Sequence, residues 1–341
     1  MDRKGRPPHS EGARMACVNK LAQLRRLERI LTRQGGDSKW GADYQPASSL
    51  GMEQPSISRP AGLAAAKLEG RDVIGQSRGE RSPLLIALHH PRCFEVHEQK
   101  MLSPVPCAHP LSGHPKATAL NLPTLRGTIE VADALGCLNR HPKVWNPSAN
   151  RWAPVPFVGD ILLFLEDSAG PYCVNWTVKQ KDSDFLNRSI RKKPLAKNSP
   201  PEKRELQRHE IEEVYYADGL IPTRRVTKWI FDKELSINLL NLFYLHDREL
   251  HDQRALDFFQ EIVDFVAELV DGTLTLYELT QSAAKHFNFG AYDVKTIIYR
   301  AVWQRRLRVD LFRKFMEDEP LFRERDDVFE VYAHLFKRAG K

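Results

Sequence analysis

The chain has 341 residues, of which 42% are hydrophobic and 28% charged, and this balance predicts a globular protein of two or three domains with a sizeable core. The sequence has no apolar run of about 18 residues and no apolar segment typical of a secretory signal, so we expect neither a membrane partner nor export. Five scattered cysteines and a formal net charge of +7 indicate a reducing cytoplasm and, weakly, an anionic partner, most often nucleic acid.

Residues 1–75 are predicted to form a basic, partly disordered N-terminal arm. The stretch 1–79 is rich in Gly, Pro, Ser, Gln and Arg, and holds 14 Lys or Arg against 8 Asp or Glu. Within it, KLAQLRRLERILTRQGG spaces its leucines and isoleucine as on one face of a helix, which predicts a single amphipathic basic helix. Such an arm is either a solvated tail or a surface that binds DNA or a partner, and the sequence leaves both interpretations open.

Residues 76–245 are predicted to form an α/β domain. The stretch ERSPLLIALHHP predicts a helix, and RCFEVHEQKML alternates as a strand does. Residues 103–150, rich in Pro and His, are expected to be an insertion. VPFVGDILLFLED and CVNWTVKQKD then predict a hairpin with its turn at DSAGP, and a charged helix, the strand RRVTKWIF and the helix SINLLNLFYLHDREL follow.

Residues 246–341 are predicted to form an α-rich winged-helix domain. Three amphipathic helices, the last running into a short basic strand, are the pattern of a winged helix-turn-helix. The third helix and its end carry a basic surface, and the interpretation as a recognition helix assigns phosphate contacts to Lys295, Arg300, Arg305, Arg306 and Arg308. The alternative is a solvated helix face, or one that contacts a protein.

The predicted hairpin places an acid, Asp160, in the middle of one strand and a lysine, Lys179, near the end of the next. An exposed pair of this kind is usually a surface salt bridge. Here both residues adjoin apolar neighbours, where burial of a charge is costly without a partner or a metal. A carboxylate, a polar group two residues before a lysine and an acid from an upstream helix together suit a divalent cation beside a phosphate. Taken alone, this pattern is common by chance.

The surrounding motifs strengthen this interpretation. The stretch ERSPLLIALHHPRCFEVHEQ resembles the start of the TnsA family, the endonuclease subunit of heteromeric, Tn-seven-like transposases, in which a Glu opens a helix of the form E-x-x-L-L-x-x-L. After the hairpin, HEIEEVYYADGLIPTRRVTKWIFDKELSINLLNLFYL is similar to another stretch of that family. The resemblance covers about 80–100, 150–185 and 205–310, in the family's order.

The resemblance implies a restriction-endonuclease-like mixed sheet with flanking helices and a Mg²⁺ site, with two ions expected. It assigns the catalytic roles to Glu80, Asp160 and Lys179, and the metal-binding oxygens to Glu80, Asp160, Thr177 and the carbonyl of Val178. Gln99 is expected to support the site without taking part in the chemistry. The family cleaves the 5′ ends of a transposon, so the resemblance also implies transposon-end DNA, a DDE-type recombinase and an AAA+ ATPase as partners, in a bacterial, nucleoid-associated setting.

One position departs from the family. Thr177 stands where the family has Gln or Glu, and a hydroxyl is a poorer direct ligand than a carboxylate. Three explanations are open: Thr177 acts through a water, Asp182 or Asp184 supplies the oxygen, or the site is weakened. The departure motivates an alternative function, a catalytically inactive DNA-binding or assembly subunit. A second alternative is a winged-helix transcriptional regulator.

The insertion offers a separate metal hypothesis. Cys107, His109, His114, Cys137 and His141 fit C-x-H…C-x₃-H, which is a possible zinc pattern. The insertion contains no C-x₂-C, and His-Pro pairs are frequent in loops, so ordinary loop residues are the favoured interpretation.

Overall fold

The computed structural model describes residues 9–48, 61–182, 185 and 202–340, and shows a mixed α/β protein. The helices are α1 His9–Gln34, α2 Arg78–His89, α3 Thr128–Ala134, α4 Glu202–Asp218, α5 Lys233–Leu245, α6 Phe259–Leu269, α7 Leu276–Phe287, α8 Ala291–Trp303, α9 Val328–Val331 and α10 Ala333–Phe336. The strands are β1 Ala61–Ala65, β2 Arg71–Gly75, β3 Cys93–Glu98, β4 Met101–Leu102, β5 Lys143–Asn146, β6 Arg151–Pro154, β7 Phe157–Val158, β8 Ile161–Asp167, β9 Gly170–Lys179 and β10 Thr223–Thr227.

A four-stranded mixed sheet forms the centre, in the order β10-β9-β8-β3. Strands β3, β8 and β9 are antiparallel neighbours, and β10 runs parallel to β9 because α4 lies between them in the chain and carries it back. The predicted hairpin is present, with its turn between Asp167 and Gly170. The antiparallel register pairs Ile161 with Trp176, which brings the start of β8 beside the end of β9.

The expected position of Asp160 inside a strand is wrong. Phe157–Val158 forms the short strand β7, which pairs with β4 outside the central sheet, and β8 begins only at Ile161. Asp160 therefore lies in the bend where the chain passes from one sheet to the other. This position frees its carboxylate from the strand's alternation and lets it turn towards β9.

Both faces of the central sheet are covered. In β8, Ile161, Leu163 and Leu165 belong to the main core with α2 and α5, whereas Leu162 and Phe164 belong to a second core with α3 and α4. Strand β9 is buried from Cys173 to Val178 on both faces, so its polar residues are not on a solvated face. Helix α4 packs over these polar residues of β9. A carboxylate on that face of α4 is therefore buried between the helix and the sheet.

The N-terminal arm is more ordered than the sequence predicts. Strands β1 and β2 form an antiparallel hairpin whose Leu63 and Val73 lie in the main core. The Arg71 guanidinium donates to both oxygens of Glu98, at 3.0 and 2.8 Å, and to Glu95 at 3.2 Å. The expectation of a loose arm therefore does not hold for residues 61–75, because a buried ion pair and apolar contacts fix them to β3.

The expected insertion at 103–150 is folded rather than a plain loop. It contributes α3 and β5, and β5 pairs with β6 just beyond it. Three of its apolar side chains, Leu111, Leu125 and Val131, are fully buried in the second core. These contacts bind the insertion to α4. The Pro- and His-rich composition concealed them, because the apolar residues follow neither a helical nor a strand period.

The three predicted C-terminal helices are α6, α7 and α8. The expected basic strand after α8 is reduced to an isolated pairing of Val309 with Arg323, beside a second pairing of Thr275 with Pro320. The main core continues from α2 and α5 into α6–α8, across the boundary expected near residue 246. None of the helices in the described part of the chain is long and apolar enough to cross a membrane.

Candidate active site

The three residues expected to carry the chemistry come from separate elements and meet at one edge of the central sheet. Glu80 lies in the first turn of α2, Asp160 lies in the bend before β8, and Lys179 is the last residue of β9. All three side chains are partly exposed, whereas the residues before them on β9 are buried. The three side chains thus lie at a partly exposed edge above buried residues of β9.

Glu80 is held by the segment that begins its own helix. The Ser77 hydroxyl donates to one carboxylate oxygen of Glu80 and the Gln76 N–H to the other, both at 2.9 Å. Burial and then the negative charge of Asp160 raise the pKa of Glu80 to about 7, while these hydrogen bonds and the Lys179 ammonium oppose the rise. Glu80, Asp160 and Lys179 therefore act on one another electrostatically.

Asp160 is oriented by the strand beside it. The Val178 N–H donates to its Oδ2 at 2.7 Å. The backbone carbonyl of Asp160 accepts the Gln99 N–H at 2.8 Å, and Gln99 holds a left-handed conformation with φ of 51°. Gln99 is buried and receives the Ser48 hydroxyl at its side-chain oxygen. Its contact with the site is the hydrogen bond from its backbone N–H to the backbone carbonyl of Asp160.

A third acid, Glu212, also lies at this site, although the sequence pattern did not single it out. Glu212 on α4 is only 2% exposed, and its Oε1 accepts from the Asn175 amide at 2.9 Å and from the Thr177 hydroxyl at 3.2 Å. Burial, followed by the charge of Asp160, raises the pKa of Glu212. A signal was present in the sequence, since Glu212 precedes the buried Tyr216 by four residues and so shares its helix face. The stretch HEIEEV has too many charges for this one to stand out.

His209, one turn before Glu212, also faces the site. It is buried, and desolvation followed by the positive charge of Lys179 lowers its pKa to about 4. Its imidazole is therefore neutral at pH 7. Of the two acids considered as substitutes for the missing ligand, Asp182 is exposed beyond the end of β9, and Asp184 lies outside the described residues.

The oxygen donors at this edge fit Mg²⁺. Magnesium in proteins takes one or two carboxylates and completes its shell with waters and substrate phosphates. The negative charge of Asp160 disfavours the ionised form of Glu80, and a cation between the two side chains would offset this. Within the described residues, however, no group of three or more His, Cys, Asp or Glu is arranged to hold a metal ion. The two carboxylates therefore suit a Mg²⁺ ion whose remaining ligands are waters and a substrate phosphate.

The Cys and His residues of the insertion are engaged separately. His109 contacts the Gly219 carbonyl at 3.1 Å, His141 contacts the Thr128 hydroxyl at 3.0 Å, and the Cys107 thiol contacts the Tyr215 hydroxyl at 3.3 Å. His114 accepts the Lys116 N–H at 3.1 Å as the cap of a short 3₁₀ turn. These hydrogen bonds connect the histidines to neighbouring parts of the insertion and to the residue that follows α4.

The basic residues of the C-terminal part have intramolecular partners. Lys295 pairs with Glu317 at 2.6 Å, Arg300 donates to the His246 carbonyl at 3.1 Å, and Arg306 donates to Gln260 at 2.9 Å. The Arg305 side chain is only 8% exposed and pairs with Glu324 and Asp327, which Arg308 also contacts. This geometry favours a structural role for Arg305, whereas Arg306 and Arg308 remain exposed enough to contact a phosphate.

Searches with the models of known protein families and among curated proteins found no match to this chain.

Proposed function

We propose that this protein is a Mg²⁺-dependent DNA endonuclease of the TnsA type, which hydrolyses a phosphodiester at the 5′ end of a transposon. The observation that carries the proposal is the convergence of Glu80, Asp160 and Lys179 at one edge of the sheet, from three distant points of the sequence. Two electrostatically coupled carboxylates beside an ammonium suit a cation and a phosphate together.

The topology supports the same assignment. The chain order α2, β3, β8, β9, α4 and β10, with three antiparallel strands and one parallel strand, agrees with a restriction-endonuclease-like sheet. A winged helix with short strands agrees with the C-terminal part of the chain. Its helices α6, α7 and α8 follow one another, Thr275 lies between α6 and α7, and Val309 pairs with Arg323 after α8. The restriction-endonuclease-like sheet and the winged helix both belong to the proposal.

Each residue has a distinct task in the proposed reaction. Glu80 and Asp160 would hold Mg²⁺, and a bound Mg²⁺ supplies charge stabilisation and lowers the pKa of a coordinated water. The Lys179 ammonium would contact the scissile phosphate and stabilise its developing negative charge. The Val178 N–H fixes the direction of the Asp160 carboxylate. The products are a 3′-hydroxyl and a 5′-phosphate.

We also propose the partners of this protein and its location in the cell. A DDE-type recombinase would cut and join the 3′ ends, an AAA+ ATPase would control assembly, and the protein would work on DNA in the bacterial nucleoid. A nuclease of this kind needs restraint until the complex forms, so low activity is expected from the isolated chain.

The test is 5′-strand nicking of a transposon end in a reconstituted reaction with the partner recombinase and Mg²⁺. Asp160→Ala and Lys179→Ala should each lower nicking more than about tenfold, because each removes a group that acts on the transition state. The exposed Asp72→Ala and Lys233→Ala are matched controls that remove the same charges elsewhere. Nicking by either site variant within tenfold of wild type would sink the assignment. If the wild type does not nick while assembling normally with the recombinase, the alternative of an inactive assembly subunit is favoured.

A further inference from the structure

Three buried polar side chains under the site have no task in the proposed reaction: Asn175, Thr177 and Glu212. Their exposed fractions are 0%, 2% and 2%. A buried carboxylate is costly unless hydrogen bonds and neighbouring charges compensate it. The chain nevertheless places Glu212 on the face of α4 that covers β9, directly beneath the edge where Asp160 and Lys179 lie.

The position of Glu212 is closely defined. Its Oε1 accepts from Thr177 on β9, and a Cβ added to Gly159 would lie 3.4 Å from the same oxygen. Gly159 immediately precedes Asp160. Glu212 therefore lies between the end of β9 and the backbone that carries Asp160, which are the two segments that form the floor of the site.

The direction of the Thr177 hydrogen bond has a chemical consequence. The hydroxyl donates its only proton to Glu212, so its oxygen has only lone pairs to offer any other neighbour. The Val178 N–H, which follows Thr177 in β9, donates to Asp160 Oδ2 at 2.7 Å, so Thr177 adjoins the residue that holds the Asp160 carboxylate. A hydroxyl oxygen polarised by a carboxylate is a better acceptor towards a cation, or a water bound to one, than a free hydroxyl is.

We infer that Glu212 is a positioning residue that acts through Thr177, and that the pair replaces the Gln or Glu expected at position 177. The carboxyl group is moved from the strand to the helix, and the Thr177 hydroxyl connects it to the site. This inference rests on the proposed function. Glu212 then compensates for the Thr that stands at position 177 in place of Gln or Glu. An inactive site is not required to explain Thr177.

The test measures Mn²⁺ binding to the full-length protein by electron paramagnetic resonance, without DNA. Asp160→Ala should abolish the tight site, which identifies it. Glu212→Gln keeps the side-chain size and an acceptor oxygen but removes the charge, and Thr177→Val removes the hydroxyl. Each should weaken Mn²⁺ binding roughly 10-fold, the usual effect of losing a group that orients a metal ligand.

The double variant decides between two roles. If Glu212 acts through Thr177, the double variant Glu212→Gln with Thr177→Val should bind Mn²⁺ no more weakly than either single variant. Additive losses would overturn the inference in favour of two independent contacts. Thr223→Val is the matched control, since its hydroxyl joins the same cluster only by accepting from Asn175 at 3.2 Å; it should leave Mn²⁺ affinity unchanged.

Thermal unfolding of the same variants distinguishes a purely structural role of Glu212 from a role in metal binding. If Glu212→Gln lowers the melting temperature but leaves Mn²⁺ affinity within about twofold of wild type, Glu212 only satisfies buried donors and the inference fails while the proposed function stands. If wild type shows no Mn²⁺ site that depends on Asp160, the proposed metal site and the inference fail together.

Discussion

At the scale of single residues, the environment of Glu80 sets its charge. A glutamate in the first turn of a helix is normally ionised and stabilised there. Here burial and the charge of Asp160 outweigh that effect and raise its pKa to about 7. The pKa of Glu80 thus stays near neutrality although the Lys179 ammonium already opposes the rise, and a bound metal ion would favour release of the proton.

This shift predicts a pH-dependent stability in the absence of metal. Because folding raises the pKa of Glu80, the folded state holds this proton more tightly than the unfolded state. The contribution of Glu80 to wild-type stability therefore falls as pH rises from about 4.5 to about 7 and is constant above that. Glu80→Gln lacks this loss. We expect urea unfolding with EDTA to show the variant gaining roughly 2 kcal/mol relative to wild type between pH 5 and pH 8.

Asp160→Asn provides the control for that titration. Removing the neighbouring charge should lower the pKa of Glu80, and the stability of this variant should therefore fall less over the same pH range. An equal pH dependence in wild type and Asp160→Asn would show that burial alone shifts Glu80, and would contradict the electrostatic coupling of the two acids.

At the scale of elements, the buried ion pair of Arg71 joins the β1–β2 hairpin to the central sheet. The side chains of Arg71 and Glu98 are 6% and 1% exposed, and Glu95 shares the same guanidinium. Breaking a buried pair leaves an uncompensated charge in a medium that solvates it poorly. The N-terminal hairpin is thereby tied to β3, the strand that ends next to Gln99.

Arg71→Ala is therefore expected to lower the free energy of unfolding by about 3–5 kcal/mol in urea titrations. The exposed pair of Arg225 with Glu213, whose side chains are 51% and 41% exposed, gives the comparison. Arg225→Ala should cost no more than about 1 kcal/mol, because solvent screens an exposed pair. Equal effects of the two substitutions would mean that residues 61–75 are not part of the cooperative fold.

At the scale of the whole molecule, the C-terminal part is packed onto the sheet rather than attached by a linker. The Trp176 indole N–H donates to the Leu335 carbonyl at 2.8 Å, and Arg338 pairs with Asp167 at 2.7 Å. Trp176 is also fully buried in the core that continues into α6–α8. A contact made by the C-terminal helices can therefore act on the strand that bears Thr177 and Lys179.

Two neighbouring arginines after α8 are expected to have opposite phenotypes. Arg305→Ala removes the buried partner of Glu324 and should lower the free energy of unfolding by about 3 kcal/mol. The exposed Arg306→Ala should change stability by less than about 0.5 kcal/mol. If this surface binds DNA, Arg306→Ala should also lower the slope of log K against log salt by about 0.9.

Fluorescence anisotropy with duplex DNA at several salt concentrations measures that slope. An unchanged slope in Arg306→Ala, together with lost binding to the recombinase or the ATPase in a pull-down, would assign the surface to a protein partner. A stable Arg305→Ala variant would contradict the structural role of Arg305 and return it to the possible DNA contacts.

The sequence by itself predicted the local elements, and the family resemblance indicated the three residues of the proposed site. Periodicity predicted α2, the β8–β9 hairpin and the helices α6–α8, because each buries one face or alternates over a long enough stretch. The spacing of Asp160 and Lys179 along the hairpin was visible for the same reason. The pairing in the sheet then fixed which ends of these strands are neighbours.

The tertiary structure alone decided which other side chains join the site and which charges are buried. Glu212 and Thr177 are 35 residues apart in the chain, and only the packing of α4 on β9 brings them into contact. The same holds for Arg71 with Glu98 and for Arg305 with Glu324, which read as surface charges in the sequence. Burial is a property of the assembled layers and not of a residue's neighbours in the chain, and so periodicity could locate the elements but not the charges enclosed between them.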